Sequence, residues 1–159
     1  MSKTNAMRML DAKKVPYEVY TFPEEIHSAM GVSEATGIPA KQVFKTLVVL
    51  SGRSKPLLVL VPGDCELNLK RLGGVIGDKN LRMATKKEAE SLTGLKTGGI
   101  SALALLHRKI PTFIDQTATE FERVLVSAGR RGVNLFIATS DLIRLTGAKV
   151  VDVASRREG

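Results

Sequence analysis

The chain has 159 residues, 43% hydrophobic and 25% charged, the profile of one ordinary globular domain with room for a sizeable core. Its net charge of +8 points either to a polyanionic partner, nucleic acid first, or to a merely soluble basic surface. With aromatics at 4% and no tryptophan, a base-stacking platform is excluded, and any RNA contact must run through backbone or one terminal nucleotide.

No apolar run approaches the roughly 20 residues that span a bilayer, and the N-terminus lacks a signal-peptide pattern. A cytoplasmic protein with no membrane partner is expected. The single cysteine, Cys65, agrees with a reducing compartment.

Residues 2–14 carry Met7 and Leu10 at helical spacing, with Ser2 or Thr4 as N-cap. After Pro16, residues 17–22 alternate as a strand, and residues 23–31 read as a loop holding Glu24, Glu25 and His27. A short helix over 33–36 stops at Gly37. The run 43–50 is a buried strand interrupted by one charge, Lys45. Taken alone, that lysine is turned outward, because burying an ammonium without a partner is costly. A turn over 51–56 leads to a second apolar strand, 57–61, which makes a hairpin.

Leu67, Leu69 and Leu72 begin a helix expected to end at Gly73-Gly74, and residues 81–84 are extended. Thr85 and Glu88 fit a capping box for a helix running to Thr93. Residues 96–101 form a glycine loop. Strands follow at 112–115, 123–127 and 134–138, with a turn at 128–132. Ser140 caps a last helix closed by Gly147, ahead of an edge strand 150–153 and a frayed polar tail 155–159. Without repeats or linkers, residues 1–159 read as a single α+β domain with a mixed, largely antiparallel sheet and helices packed on it.

Chemistry-bearing motifs are sparse. His27 and His107 lie far apart, and Cys65 has no ligand at metal spacing, so no metal is expected. Neither a P-loop nor a dinucleotide fingerprint is present, so no cofactor is expected either. Cys65, just before a helix start, is open to a nucleophile reading, although lone cysteines are more often packing residues. Gly98-Gly99 reads as a turn or as a place where backbone N–H groups approach a ligand. Lys70-Arg71, Lys86-Lys87, Arg108-Lys109 and Arg130-Arg131 are solvated faces or a phosphate-contacting rim.

Five stretches gather these pieces: Phe44-Lys45-Thr46-Leu47-Val48, Leu67-Asn68-Leu69-Lys70, Gly98-Gly99-Ile100-Ser101, Pro111-Thr112-Phe113-Ile114-Asp115, and the run from Val126 to Gly132. In this order they resemble the YbaK/EbsC proteins, free-standing relatives of the editing domain in bacterial prolyl-tRNA synthetases. The resemblance spans residues 5–153 and is nearest to the Cys-tRNA(Pro) deacylases. It implies a pseudo-barrel with helices outside and a pocket for the aminoacylated 3′ end of tRNA.

By the same resemblance, Lys45 contacts the terminal adenosine and the ester. The amides of Gly98 and Gly99 approach the carbonyl, and Thr46, Ser101 and Ser127 line the pocket. Phe22 stands where the family commonly has a tyrosine, which removes a hydroxyl, and Met30 replaces an aromatic at the aminoacyl end, while Ala102 and Ala128 replace a proline and a glycine. The family has no protein nucleophile, so the implied mechanism uses the substrate's own thiol and yields a thiolactone. Alternatives are removal of alanine from the same tRNA, or a non-catalytic tRNA-binding partner of prolyl-tRNA synthetase.

Overall fold

The protein is described by a computed structural model covering residues 2–156. Its centre is the hairpin of β2 (Phe44–Leu50) and β3 (Pro56–Pro62), paired antiparallel from Phe44↔Pro62 to Leu50↔Pro56. Both faces of this hairpin are covered, which explains why its sequence is apolar without alternation. Phe44, Val48, Leu58 and Leu60 enter the main core, whereas Val49, Leu57, Val59 and Val61 enter a second core with Leu72 and Phe113. Each fully buried Leu or Val here contributes about 1.5–3 kcal/mol.

β3 continues in parallel to β6 (Thr112–Asp115) and then β9 (Lys149–Val151). On the other side, β5 (Arg82–Met83) pairs with only the last two residues of β2. A separate three-stranded sheet has the order β1 (Tyr17–Thr21), β8 (Val133–Ala138), β7 (Arg123–Arg130). β4 (Cys65–Leu67) and β10 (Ala154–Arg156) form a two-stranded ladder. Antiparallel pairings therefore dominate the mixed α+β fold. The strands form three sheets rather than a closed barrel, and Val43, just before β2, bridges Leu125 of β7 between the two larger ones.

Helix α1 (Asn5–Ala12) is capped by Thr4, whose hydroxyl accepts from Met7 N–H at 3.2 Å, and buries Ala6, Met7 and Leu10. Helix α2 (Ala29–Thr36) begins at the Ser28 cap, four residues before the expected start at 33, inside the expected loop. Helix α3 (Leu69–Ile76) carries through Gly73-Gly74 and stops at Gly77 instead. Helix α4 (Lys86–Thr93) has the complete capping box, and α5 (Thr139–Thr146) packs near β8.

The expected edge strand at 150–153 is replaced by β9 and β10. Ser155 and Arg156 pair with β4 rather than fray; the rest of the expected frayed tail lies outside the described residues. No described helix is long and apolar enough to cross a membrane.

Candidate functional site

The site begins with an edge left open on β2. The carbonyl of Val48 accepts the N–H of Ala84 at 3.0 Å, so this residue directs its backbone groups toward the β5 side. Backbone direction alternates along a strand, so Thr46 directs its N–H and C=O to the same side. β5 has already ended there. At its other end β2 meets β7 through the Val43–Leu125 bridge. Between these two closures the strand edge faces a cavity of about 360 Å³.

Lys45 and Thr46 point to opposite faces of the strand, yet both line this cavity, because it follows the strand's edge. Opposite them stands a polar pair from the three-stranded sheet, Ser127 and Asn134, which are direct partners across β7 and β8. Asn134 is only 6% exposed, and Ser127 Oγ accepts the N–H of Gly129 at 3.2 Å. Phe22 and His27 close the mouth beside α2, and Lys86 marks the α4 side. Among the described residues the wall carries two lysines and no carboxylate, so it favours an electron-rich ligand.

The glycine loop forms the remaining wall and is held at one residue, Thr97, from both sides. Thr97 N–H donates to Glu90 Oε2 at 2.8 Å, and Thr97 C=O accepts from Arg131 Nε at 2.7 Å. The first of these bonds holds the Glu90 carboxyl below its ordinary range, with the Thr97 hydroxyl and nearby cations adding to it. Gly98 has φ +91°, and a Cβ there would lie 3.1 Å from His27 Cδ2. At Gly99 a Cβ would meet the Arg131 backbone nitrogen at 3.0 Å. Neither position accommodates a side chain without movement.

Lys45, Thr46, Gly98, Phe22 and Ser127 therefore share one cavity. Gly99 does not line it, and its N–H is used within the loop, donating to Lys96 C=O at 2.8 Å. Ser101 is 1% exposed, and its hydroxyl accepts the Ala104 N–H, which makes it a turn cap behind the wall. Met30 stands on α2, 50% exposed and outside the lining. Sequence reasoning missed Asn134, His27 and Lys86 as lining residues. Asn134 carried a legible signal as a polar residue amid an apolar strand, and Lys86 as part of a basic pair read as a solvated face or a rim.

Cys65 lies in a different cavity, and burial, followed by its hydrogen bond to Asp64, pushes its thiol up to about 11. No three His, Cys, Asp or Glu side chains gather as metal ligands among the described residues.

The sequence profile of the aminoacyl-tRNA editing domain matches residues 23–145. The chain belongs to this family. It is thereby one of the aminoacyl-tRNA editing enzymes, hydrolases that free an amino acid from tRNA. EbsC of Enterococcus faecalis, named as a candidate Cys-tRNA(Pro)/Cys-tRNA(Cys) deacylase, is 35% identical over 156 residues, 97% of this chain and 94% of its own.

The proline–tRNA ligase of Thermodesulfovibrio yellowstonii is 36% identical over 96 residues, 60% of this chain but 16% of the ligase. Among solved structures, a candidate trans-editing enzyme for prolyl tRNA synthetase superposes with TM-score 0.80 at 26% identity, covering 99% of this chain and 100% of that one. A hypothetical protein superposes at TM-score 0.87 with 24% identity over 96% of this chain and 100% of its own; this second likeness concerns the fold alone.

Proposed function

We propose that this editing domain removes cysteine from mischarged Cys-tRNA(Pro) in trans, in the cytoplasm, with the aminoacylated 3′ end seated along the open edge of β2. The observation that carries the reading is one cavity that brings Lys45, Thr46 and Gly98 together. The near full-length similarity to EbsC supports cysteine as the amino acid.

The cavity supplies orientation and charge rather than a nucleophile. Of its hydroxyls, Thr46 and Ser127 make no hydrogen bond to His27 or to a carboxylate among the described residues, and Thr97, whose hydroxyl lies beside the Glu90 carboxyl, makes none to a histidine, so no Ser–His or Thr–His pair is assembled there. The substrate's own sulfur attacks its ester carbonyl. A C–S bond forms, the bond to ribose O3′ breaks, and the thiol proton ends on O3′. Free tRNA leaves, and the cyclic thiolactone is later hydrolysed by water.

Holding sulfur and carbonyl together lowers the entropic part of the barrier. The Lys45 ammonium and the Gly98 N–H stabilise charge developing on the carbonyl and leaving oxygens. Thr46 C=O is placed to accept from the substrate's ammonium, and Phe22 and Ser127 bound the aminoacyl end. Gly99 and Ser101 support the loop from behind, and Met30 on α2 acts at most at the pocket's rim. Selection of the tRNA body falls to a partner such as prolyl-tRNA synthetase, because nothing among the described residues has the form of a base-reading module.

Deacylation of Cys-tRNA(Pro) by the wild type and by Lys45→Ala tests the reading. We expect kcat/KM to fall by about 100-fold or more in the variant. Equal rates would remove Lys45 from the chemistry. Ser-tRNA(Pro), lacking the thiol, should be cleaved at least about tenfold more slowly, given the weaker attacking group. Equal cleavage of the two would eliminate thiol assistance, and faster cleavage of Ala-tRNA(Pro) would reassign the substrate.

A further inference from the structure

We propose that a second groove, behind the glycine loop, is a phosphate subsite for the RNA strand leading into the β2 cavity. The inference rests on the editing reading above. The groove, about 300 Å³, is lined by Lys96, Arg130, Arg131, Glu24, Gly94 and Gly99, among others. Three of these side chains are cations and one is a carboxylate, so the groove favours an anion.

Its position relative to the cavity gives that anion an identity. Gly98 lines the cavity, and the next residue, Gly99, lines the groove. A strand whose 3′ end lies at Lys45 and which crosses this loop brings its preceding phosphodiesters to the three cations.

The arginines retain donors for that role. Arg131 uses Nε on Thr97 C=O, and its two terminal nitrogens make no hydrogen bond among the described residues. Arg130 uses one nitrogen on Ser2 C=O at 2.9 Å. A guanidinium fork matches two phosphate oxygens, which a lysine does only as a point charge. Arg131 also couples the subsite to the chemistry, since the side chain that would meet the phosphate holds the loop carrying Gly98. On the opposite flank, the cavity wall offers, among the described residues, Lys86 as the one further lysine or arginine beside Lys45.

The test is binding of an uncharged RNA minihelix ending in CCA, followed by fluorescence across a salt series. Lys96→Ala, Arg130→Ala and Arg131→Ala are compared with Lys55→Ala, in the distant β2–β3 turn. Each groove variant should weaken binding severalfold and flatten the slope of log K against log salt by about 0.7 per lost phosphate contact. Lys55→Ala should leave both unchanged.

Unaltered slopes in all three groove variants, or an equal loss in Lys55→Ala, would overturn the subsite. Because the probe carries no amino acid, the result is independent of turnover. Binding with the expected pattern but no cleavage of any aminoacyl-tRNA would overturn the editing reading instead.

Discussion

Cys65 shows how position decides whether a reactive side chain reacts. Its thiol donates to Asp64 Oδ1 at 3.4 Å, and burial, then that hydrogen bond, raises it from 9.0 to about 11. A nucleophilic cysteine needs a lowered value, and this one is raised. At neutral pH about one thiol in ten thousand is ionised by this measure. Alkylation of the native protein by iodoacetamide at pH 7.5 should therefore be at least about 100-fold slower than that of free cysteine. Cys65→Ala should deacylate Cys-tRNA(Pro) within about twofold of wild type. Loss of activity in that variant would return the thiol to the mechanism. The raised value also has a stability sign. The unfolded chain releases the proton first, so stability falls as pH rises above 9 toward 11. Cys65→Ala should lose less stability over that interval in alkaline denaturation.

At the scale of elements, the glycine loop depends on α4 more than on its own sequence. Glu90 accepts the Thr97 N–H, and its carboxyl is held below the ordinary 4.5. A depressed carboxyl stabilises the folded state fully above its unfolded pKa and loses that contribution as pH falls through the folded value. The Thr97 amide resonance should accordingly shift in an NMR titration only below the ordinary glutamate range.

Glu90→Ala should lower kcat about tenfold and leave binding of uncharged tRNA in place. Glu90→Gln, which keeps an acceptor oxygen, should recover most of the rate. Equal defects in both variants would show that charge rather than positioning is what Glu90 supplies.

Local signals of this kind explain what the sequence disclosed. Thr85 and Glu88 announced α4 because a capping box is written within four residues. The doubly buried hairpin announced itself through unbroken apolar runs. Helix α2 was hidden because Gly31 interrupts it, and α3 because Gly73-Gly74 looked like a terminus. Asn134 stood out as a polar residue in an apolar strand, but its place at the site is set by its cross-strand register with Ser127. The Gly99 N–H, by contrast, closes a local turn on Lys96 C=O, in line with the turn reading of Gly98-Gly99.

Over the whole molecule, one buried carboxylate joins the central sheet to the end of the chain. Asp115, at the end of β6, is 1% exposed. Its Oδ1 accepts the N–H groups of Val153 and Ala154, both at 2.9 Å, and its Oδ2 accepts the Thr117 N–H and hydroxyl at 3.1 and 2.7 Å. β10 starts at Ala154 and pairs with β4, so the carboxylate fixes where the last strand meets the body of the fold. Removing it leaves buried donors unsatisfied, at about 1–3 kcal/mol each. Asp115→Ala should thus cost on the order of 3 kcal/mol or more, read as a lower urea midpoint. Asp115→Asn keeps one acceptor oxygen for Val153 and Ala154 but turns an NH₂ group toward the Thr117 donor, so its midpoint should fall in between. Asp115 does not line the β2 cavity, and the folded fraction of both variants should retain Lys45-dependent deacylation. An Asp115→Ala protein with an unchanged midpoint would mean that the β4–β10 ladder holds the chain end without the carboxylate. One with a normal midpoint and lost activity would instead bring β6 into the site.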